Sequence, residues 1–164
     1  MRWKLSLGVI GVLLAVAGPL SSLGGAQAES EESQSQVLRI VAKEVASKYV
    51  ALGKKGFGQS DQFVFTNDLL RAGTKVGEDG GSCTVTRMTG RGANTWLCVG
   101  SNSFPGGQIT VEGLVTYGPD EAVKADPYYF AITGGTGQYE GARGQVKLEE
   151  VSPDEVHATF LIDA

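Results

Sequence analysis

Residues 130–151, FAITGGTGQYEGARGQVKLEEV, constrain the fold of this chain more than any other stretch. Five glycines fall within residues 134–144, and an alternating run follows at once, with Gln145, Lys147 and Glu149 set against Val146 and Leu148. Alternation of period two makes a strand, because successive side chains point to opposite faces of a sheet. A Gly-rich turn that feeds a strand is unlike the Gly-rich loops of nucleotide sites, which feed a helix whose N-terminus holds the phosphate. The GxGxxG spacing is missing, as is a following Lys with Ser or Thr. The pattern argues against nucleotide binding and for an antiparallel sheet.

The rest of the chain agrees. Residues 62–65 (QFVF) start a strand, Thr66-Asn67-Asp68 interrupts it, and Leu69-Leu70 returns to the core. Residues 72–81 read as loop, 82–88 (SCTVTRM) as a strand and 95–102 (TWLCVGSN) as its hairpin mate across TGRGAN. A turn at Pro105-Gly106-Gly107 leads into 108–117 (QITVEGLVTY), a short strand covers 129–133, and 144–151 and 156–162 pair across Ser152-Pro153-Asp154. The segment 37–52 (VLRIVAKEVASKYVAL) mixes helix-favouring Ala, Lys and Glu with β-branched residues, and its downstream context makes it one or two strands. Seven or eight short strands at regular spacing predict a closed antiparallel barrel or a sandwich. Eight strands give a barrel that side chains can fill or that can hold one small ligand.

The first 28 residues read as a secretory signal peptide: Arg2 and Lys4, the apolar run 5–17, then Ala26-Gln27-Ala28. Cleavage after Ala28 leaves a polar, flexible segment over 29–36 and one domain over 37–164. Losing Arg2 and Lys4 from 14 basic residues leaves 12 against 18 acidic ones, a net charge near -6. No basic stripe is present, so no nucleic-acid partner is expected. In an oxidising compartment Cys83 and Cys98 are a candidate cross-strand disulfide; two separate buried thiols are the alternative. The single histidine, His157, makes a zinc site or a catalytic triad improbable.

Several residues could carry chemistry. Arg143 could present a fixed positive fork to a carboxylate or enolate oxygen, or pin the Gly-rich turn by pairing with Glu140 or Asp126. Glu112 shares a strand face with Thr110 and Leu114, and either face could be interior; an inward Glu would be an acid/base candidate. Asp61, Asn67 and Asp68 bracket QFVF and could face a barrel mouth, where a buried Asp would have a raised pKa. Tyr117, Tyr128 and Tyr129 could orient an oxygenated substrate, with Trp96 shaping the pocket.

From about Asp61 onward the chain resembles the allene oxide cyclase and dirigent barrel superfamily. The blocks that carry this are DQFVFTNDLL (61–70), GGSCTVTR (80–87), GQITVEGLVTY (107–117) and FAITGGTGQYEGARGQVKLEEV (130–151). The resemblance implies an eight-stranded antiparallel β-barrel of calycin-like type, with an apolar cavity that works without a cofactor. Plant cyclases of this type close an epoxide-derived oxylipin, dirigent proteins steer radical coupling, and similar barrels in polyketide pathways perform [4+2] cyclisations. Cys83 falls at the position of a cavity-lining cysteine, Tyr117 near a pocket tyrosine and Arg143 on an arginine of the dirigent Gly-rich motif. The first-strand carboxylate of the plant cyclases falls near the apolar Val41, with Glu44 out of phase. The expectation is a secreted cyclase or isomerase for a hydrophobic polyunsaturated or epoxide-bearing molecule, with Glu112, Tyr117 and Arg143 catalytic and Cys83, Trp96, Asn67 and Tyr129 binding substrate. A lipocalin-like or dirigent-like binding protein is the alternative. The resemblance also implies a homodimer or homotrimer.

Overall fold

The structure is a computed structural model that describes residues 35–53, 57–119 and 121–163. The expected signal peptide and residues 29–34 lie outside the described residues. Eight strands follow one another: β1 (Gln36–Val50), β2 (Gln62–Arg71), β3 (Thr74–Met88), β4 (Asn94–Phe104), β5 (Gly107–Tyr117), β6 (Tyr128–Gly135), β7 (Arg143–Ser152) and β8 (Glu155–Asp163). Each pairs antiparallel with the next, and β8 pairs with β1, so the sheet closes into an up-and-down barrel. A single 3-10 turn, Gly137–Tyr139, interrupts the connection from β6 to β7.

Two stretches depart from the sequence reading. Residues 62–71 form one uninterrupted strand, because Thr66, Asn67 and Asp68 all stay in register with β3. Residues 74–81, read as loop, are the first half of β3. The true turn is Ala72-Gly73, both at positive φ (49° and 79°), the signature of a two-residue hairpin. The glycines at 77 and 81 that suggested a loop are strand residues, and Gly81 sits against the Phe65 ring and the backbone of Val99 and Gly100. The mixed first segment is a single strand, with a β-bulge between Glu44 and Ala46.

Pairing register fixes what faces inward. Ala42 lies opposite Leu69, Asn67 opposite Asp79, Asp79 opposite Asn102, and Trp96 opposite Val115. One end of the barrel is packed solid by Leu38, Ile40, Phe104, Ile109, Ile132, Phe160 and Ile162, all buried. The Phe104 ring meets Tyr139 at 5.9 Å and Phe160 at 6.0 Å, both edge-on. The Gly-rich turn seats the 3-10 turn on this floor: at Gly137 (φ 62°) a Cβ would lie 2.1 Å from the Gly106 carbonyl oxygen, so only glycine permits the approach. The other end carries the β1–β2, β3–β4, β5–β6 and β7–β8 connections, and it stays open.

Cys83 and Cys98 lie directly opposite on β3 and β4 and form the expected disulfide. The 15-residue separation gives a model chain-entropy benefit of about 3 kcal/mol. We expect the Cys83→Ala/Cys98→Ala double variant to fold but to lose stability of that order, read as a lower midpoint in guanidinium unfolding. At Gly113, on β5, a Cβ would sit 2.0 Å from the Phe130 ring, which fills the space a side chain would occupy. We expect Gly113→Ala to cost about 1–3 kcal/mol through overpacking. An unchanged thermal midpoint would refute that account of the position.

Candidate functional site

Above the packed floor lies a cavity of about 670 Å³. Its walls are mainly apolar: Phe63, Phe65 and Leu69 from β2, Trp96 from β4, Val111 and Val115 from β5, Phe130 from β6 and Leu148 from β7. Lining residues outside the strands come from the open-end connections: Phe57, Glu121, Ala122, Pro153 and Asp154. Phe57 stacks on Tyr49 at 5.9 Å and meets Trp96 at 5.6 Å, forming an aromatic rim. That size and lining suit one small hydrophobic ligand.

Two carboxyl clusters interrupt the apolar wall. On β3, Asp79 accepts a hydrogen bond from Asn67 Nδ2 at 2.8 Å, with Asn102 opposite it on β4 and Glu44 opposite Asn67 on β1. Burial raises the Asp79 pKa to about 6, outweighing the opposing hydrogen bond from Asn67. On β7, Glu150 Oε1 accepts the Tyr117 hydroxyl at 2.5 Å and the Tyr128 hydroxyl at 2.9 Å, while Oε2 accepts the Lys124 backbone N–H at 2.7 Å. Burial first, and the Glu150 carboxylate after it, push the Tyr117 hydroxyl well above the ordinary tyrosine value. Burial, the neighbouring Tyr117 and Glu150 do the same to Tyr128. Both tyrosines are therefore neutral hydroxyls at physiological pH. The β5–β6 connection that carries Lys124 is organised by Glu121, which accepts from Gly118 N at 2.6 Å, Ala125 N at 3.2 Å and Lys124 Nζ at 3.1 Å.

The expected site residues divide sharply. Tyr117, Trp96, Asn67 and Cys83 line the cavity. Cys83 does so as half of the disulfide, so it offers no thiol. Glu112 is exposed on the outer face, because β5 turns Val111, Gly113, Val115 and Tyr117 inward. Arg143 is also exposed, opposite Asp163 on β8, and makes no ion pair among the described residues. Tyr129 is 52% exposed; its neighbour Tyr128 takes the inward position. These three cannot touch a ligand in the cavity. Asp68 pairs outward with Lys75 at 2.7 Å, and His157 pairs with Glu155 at 3.0 Å on the exterior.

Asp61 is fully buried, as one reading allowed, but its pKa is lowered rather than raised. Its carboxylate accepts the Tyr49 hydroxyl and the backbone N–H groups of Leu52, Gly53 and Gly58. It holds the start of β2 to the β1–β2 connection, a structural duty. Asp79 and Glu150 escaped the sequence reading. Asp79 falls in the stretch 72–81 read as loop, and the alternation of 144–151 by itself assigns Glu150 no role. The two alternation signals that could have found them were the inward phase of Cys83 on β3 and of Val146 and Leu148 on β7.

The sequence profile described as the allene oxide cyclase barrel like domain matches residues 41–162. The chain belongs to that family. Among solved structures it is similar to a pyocyanin demethylase, with 28% identity over 77% of this chain and 99% of the other, at a TM-score of 0.66. It also shares its fold with a nonspecific heme-binding cyclase that catalyses a [4+2] cycloaddition in neoabyssomicin biosynthesis (17% identity, 82% of this chain, 66% of the other, TM-score 0.63). The Diels-Alderase AbmU from Streptomyces koyangensis has the same fold as well (15% identity, 85% of this chain, 73% of the other, TM-score 0.60).

Asp79 gives this family member a stability signature. A carboxyl with pKa 3.8 when unfolded and about 6 when folded binds its proton more tightly in the native state. Stability therefore falls as pH rises between those values and stays low above them. We expect Asp79→Asn to raise the thermal midpoint at neutral pH, by on the order of 1–3 kcal/mol of stability, and to lose that advantage below the unfolded value. Asp61 runs the other way. Its lowered pKa, due first to the Tyr49 hydroxyl and then to the backbone donors, stabilises the fold fully above the ordinary value of 3.8, a contribution lost as pH falls below it. Asp61→Asn should destabilise at neutral pH and flatten the acid limb of a stability-pH profile.

Proposed function

We propose that this barrel is a cyclase or isomerase for a hydrophobic, oxygen-bearing small molecule of polyketide or oxylipin type, with an intramolecular [4+2] or related ring closure as its reaction. One observation carries the reading: Glu150 with Tyr117 and Tyr128, and Asp79 with Asn67, are set into an otherwise apolar cavity. Burying a carboxyl costs stability unless it is paired, and Asp79 is only partly compensated. A smooth apolar cavity would serve a carrier for a hydrophobic ligand; a partly compensated carboxyl set into it supports proton transfer or carbonyl polarisation.

The barrel supplies two contributions. Its rigid apolar walls hold a flexible substrate in one folded conformation, which removes much of the entropic barrier to ring closure. Its polar groups then act on oxygen. Protonated Asp79 can donate to a carbonyl as electron density builds there. Tyr117 and Tyr128, whose hydrogens are engaged by Glu150, can accept a hydrogen from a substrate hydroxyl at the open end. The two cycloaddition enzymes support this reading by showing that such a barrel accommodates ring closure. The pyocyanin demethylase is named for a different reaction on a barrel of similar fold. The disulfide and the signal-peptide-like pattern of residues 1–28 support an exported protein.

The test is conversion. Purified protein is incubated with a hydrophobic extract of the producing organism, and the mixture is followed by liquid chromatography with mass spectrometry. We expect a compound to change retention without changing elemental composition, and Asp79→Asn or Glu150→Gln to slow that change at least about tenfold, the loss of one charge-assisted contact. A compound that binds and returns unaltered would replace this reading with a carrier.

A further inference from the structure

The two carboxyl clusters stand on β3 and β7. In a closed ring of eight strands these are four apart, so Asp79 and Glu150 line the one cavity from opposite walls. Their hydrogen-bonding capacities are complementary. Asp79 Oδ1 accepts the Asn67 amide, and its other oxygen has no side-chain partner among the described residues. When protonated, Asp79 has one O–H to give, and a ligand meeting it must bring an acceptor. Glu150 already accepts from Tyr117, Tyr128 and Lys124, which take three of the roughly four acceptor positions of a carboxylate. Both tyrosine hydrogens are spent on it, which leaves two phenol oxygens as acceptors. A ligand that reaches this wall must bring a hydrogen. The same cavity is lined by Phe63, Phe65 and Phe130 and by Trp96, whose indole N–H is taken by Asn94, so the rest of the wall offers mainly apolar surface.

We propose, on the cyclase or isomerase reading above, that the cavity selects an apolar molecule with a carbonyl-type acceptor at one end, bound by Asp79, and an enolic or phenolic O–H at the other, bound by the Tyr117–Tyr128–Glu150 cluster. Sites built around specific hydrogen bonds reject analogues lacking the group, because buried partners are then left unpaired. The titratable and amide groups around the cavity with Asp79 include Asn67 on β2, Asn102 on β4, Glu44 on β1, Glu150, Tyr117 and Tyr128 across it, and Glu121 and Asp154 on the open-end connections. No cation stands among them. Ionised Asp79 therefore turns a donor into an unshielded anion pointed at the ligand's carbonyl.

The probe is 6-acetyl-2-naphthol, which carries the two groups on opposite ends of a fluorescent ring system. Its controls are the methyl ether, 2-acetyl-6-methoxynaphthalene, which lacks the O–H, and 2-naphthol, which lacks the carbonyl. Fluorescence titration of the purified barrel is run at about pH 5 and about pH 7, on either side of the Asp79 transition. We expect the probe to bind about tenfold more tightly than either control at the lower pH. Its affinity should fall severalfold at the higher pH, while that of 2-naphthol stays level. Asp79→Asn, which keeps a donor without a titration, should bind the probe with no pH step. Tyr117→Phe/Tyr128→Phe should erase the preference over the methoxy analogue but keep the step. Circular dichroism confirms that each variant is folded. Equal affinity for all three compounds, or a pH step that survives Asp79→Asn, would overturn the assignment. Binding is read without turnover, so failure here leaves the ring-closure reading to be judged by conversion.

Discussion

The pairing of β8 with β1 is the constraint from which the rest follows. Closure removes both edges of the sheet, so every strand has two neighbours along part of its length and its inner and outer faces are fixed together. A one-residue slip in any strand would exchange its faces around a closed ring, which has no free edge to absorb the error. The inward phase of Asp79 is thus set jointly by Asn67 on one side and Asn102 on the other.

The barrel is divided along its axis into a part that supplies stability and a part that spends it. The floor is aromatic and aliphatic, packed edge-on and sealed by the Gly-rich connection. Above it, the wall admits Asp79, whose ionisation burial opposes. Asp61 marks the boundary between the two uses of a buried acid. Surrounded by donors, it is held ionised and fixes a loop. Asp79, with one donor, is left with an unspent capacity. Identical side chains have opposite pKa shifts because one environment supplies hydrogen bonds to the charge and the other supplies mostly apolar wall.

Much of the fold was legible because strand alternation and turn chemistry are local. The 82–88 and 95–102 hairpin, the Pro105-Gly106 turn and the strand after the Gly-rich segment could be read directly. The loop reading of 72–81 failed for a physical reason. Glycine marks a turn where φ is positive, as at Gly73, but marks crowding where a strand passes close to a neighbour, as at Gly81. A single sequence does not distinguish these two uses. The site was less legible still. Alternation shows which residues share a face, but not which face is inside. Glu112 and Tyr129 sit on the outside while Tyr117 and Tyr128 sit on the inside, and only the closed register decides. The Glu150 cluster joins β5, β6 and β7 across 33 residues, a coincidence in space with no local trace.

The bulge in β1 has a consequence for how the barrel can tolerate change. Before it, even-numbered residues face inward: Leu38, Ile40, Ala42 and Glu44. After it, the odd-numbered Ser47 and Tyr49 lie opposite the inward Phe65 and Phe63. The extra residue is therefore a phase shifter, letting a single strand serve the floor in one parity and the rim in the other. Insertions and deletions on either side of it are not equivalent. One that restores regular pairing would rotate Tyr49 away from Asp61 and Phe57, uncoupling the rim from a floor that had not itself been altered.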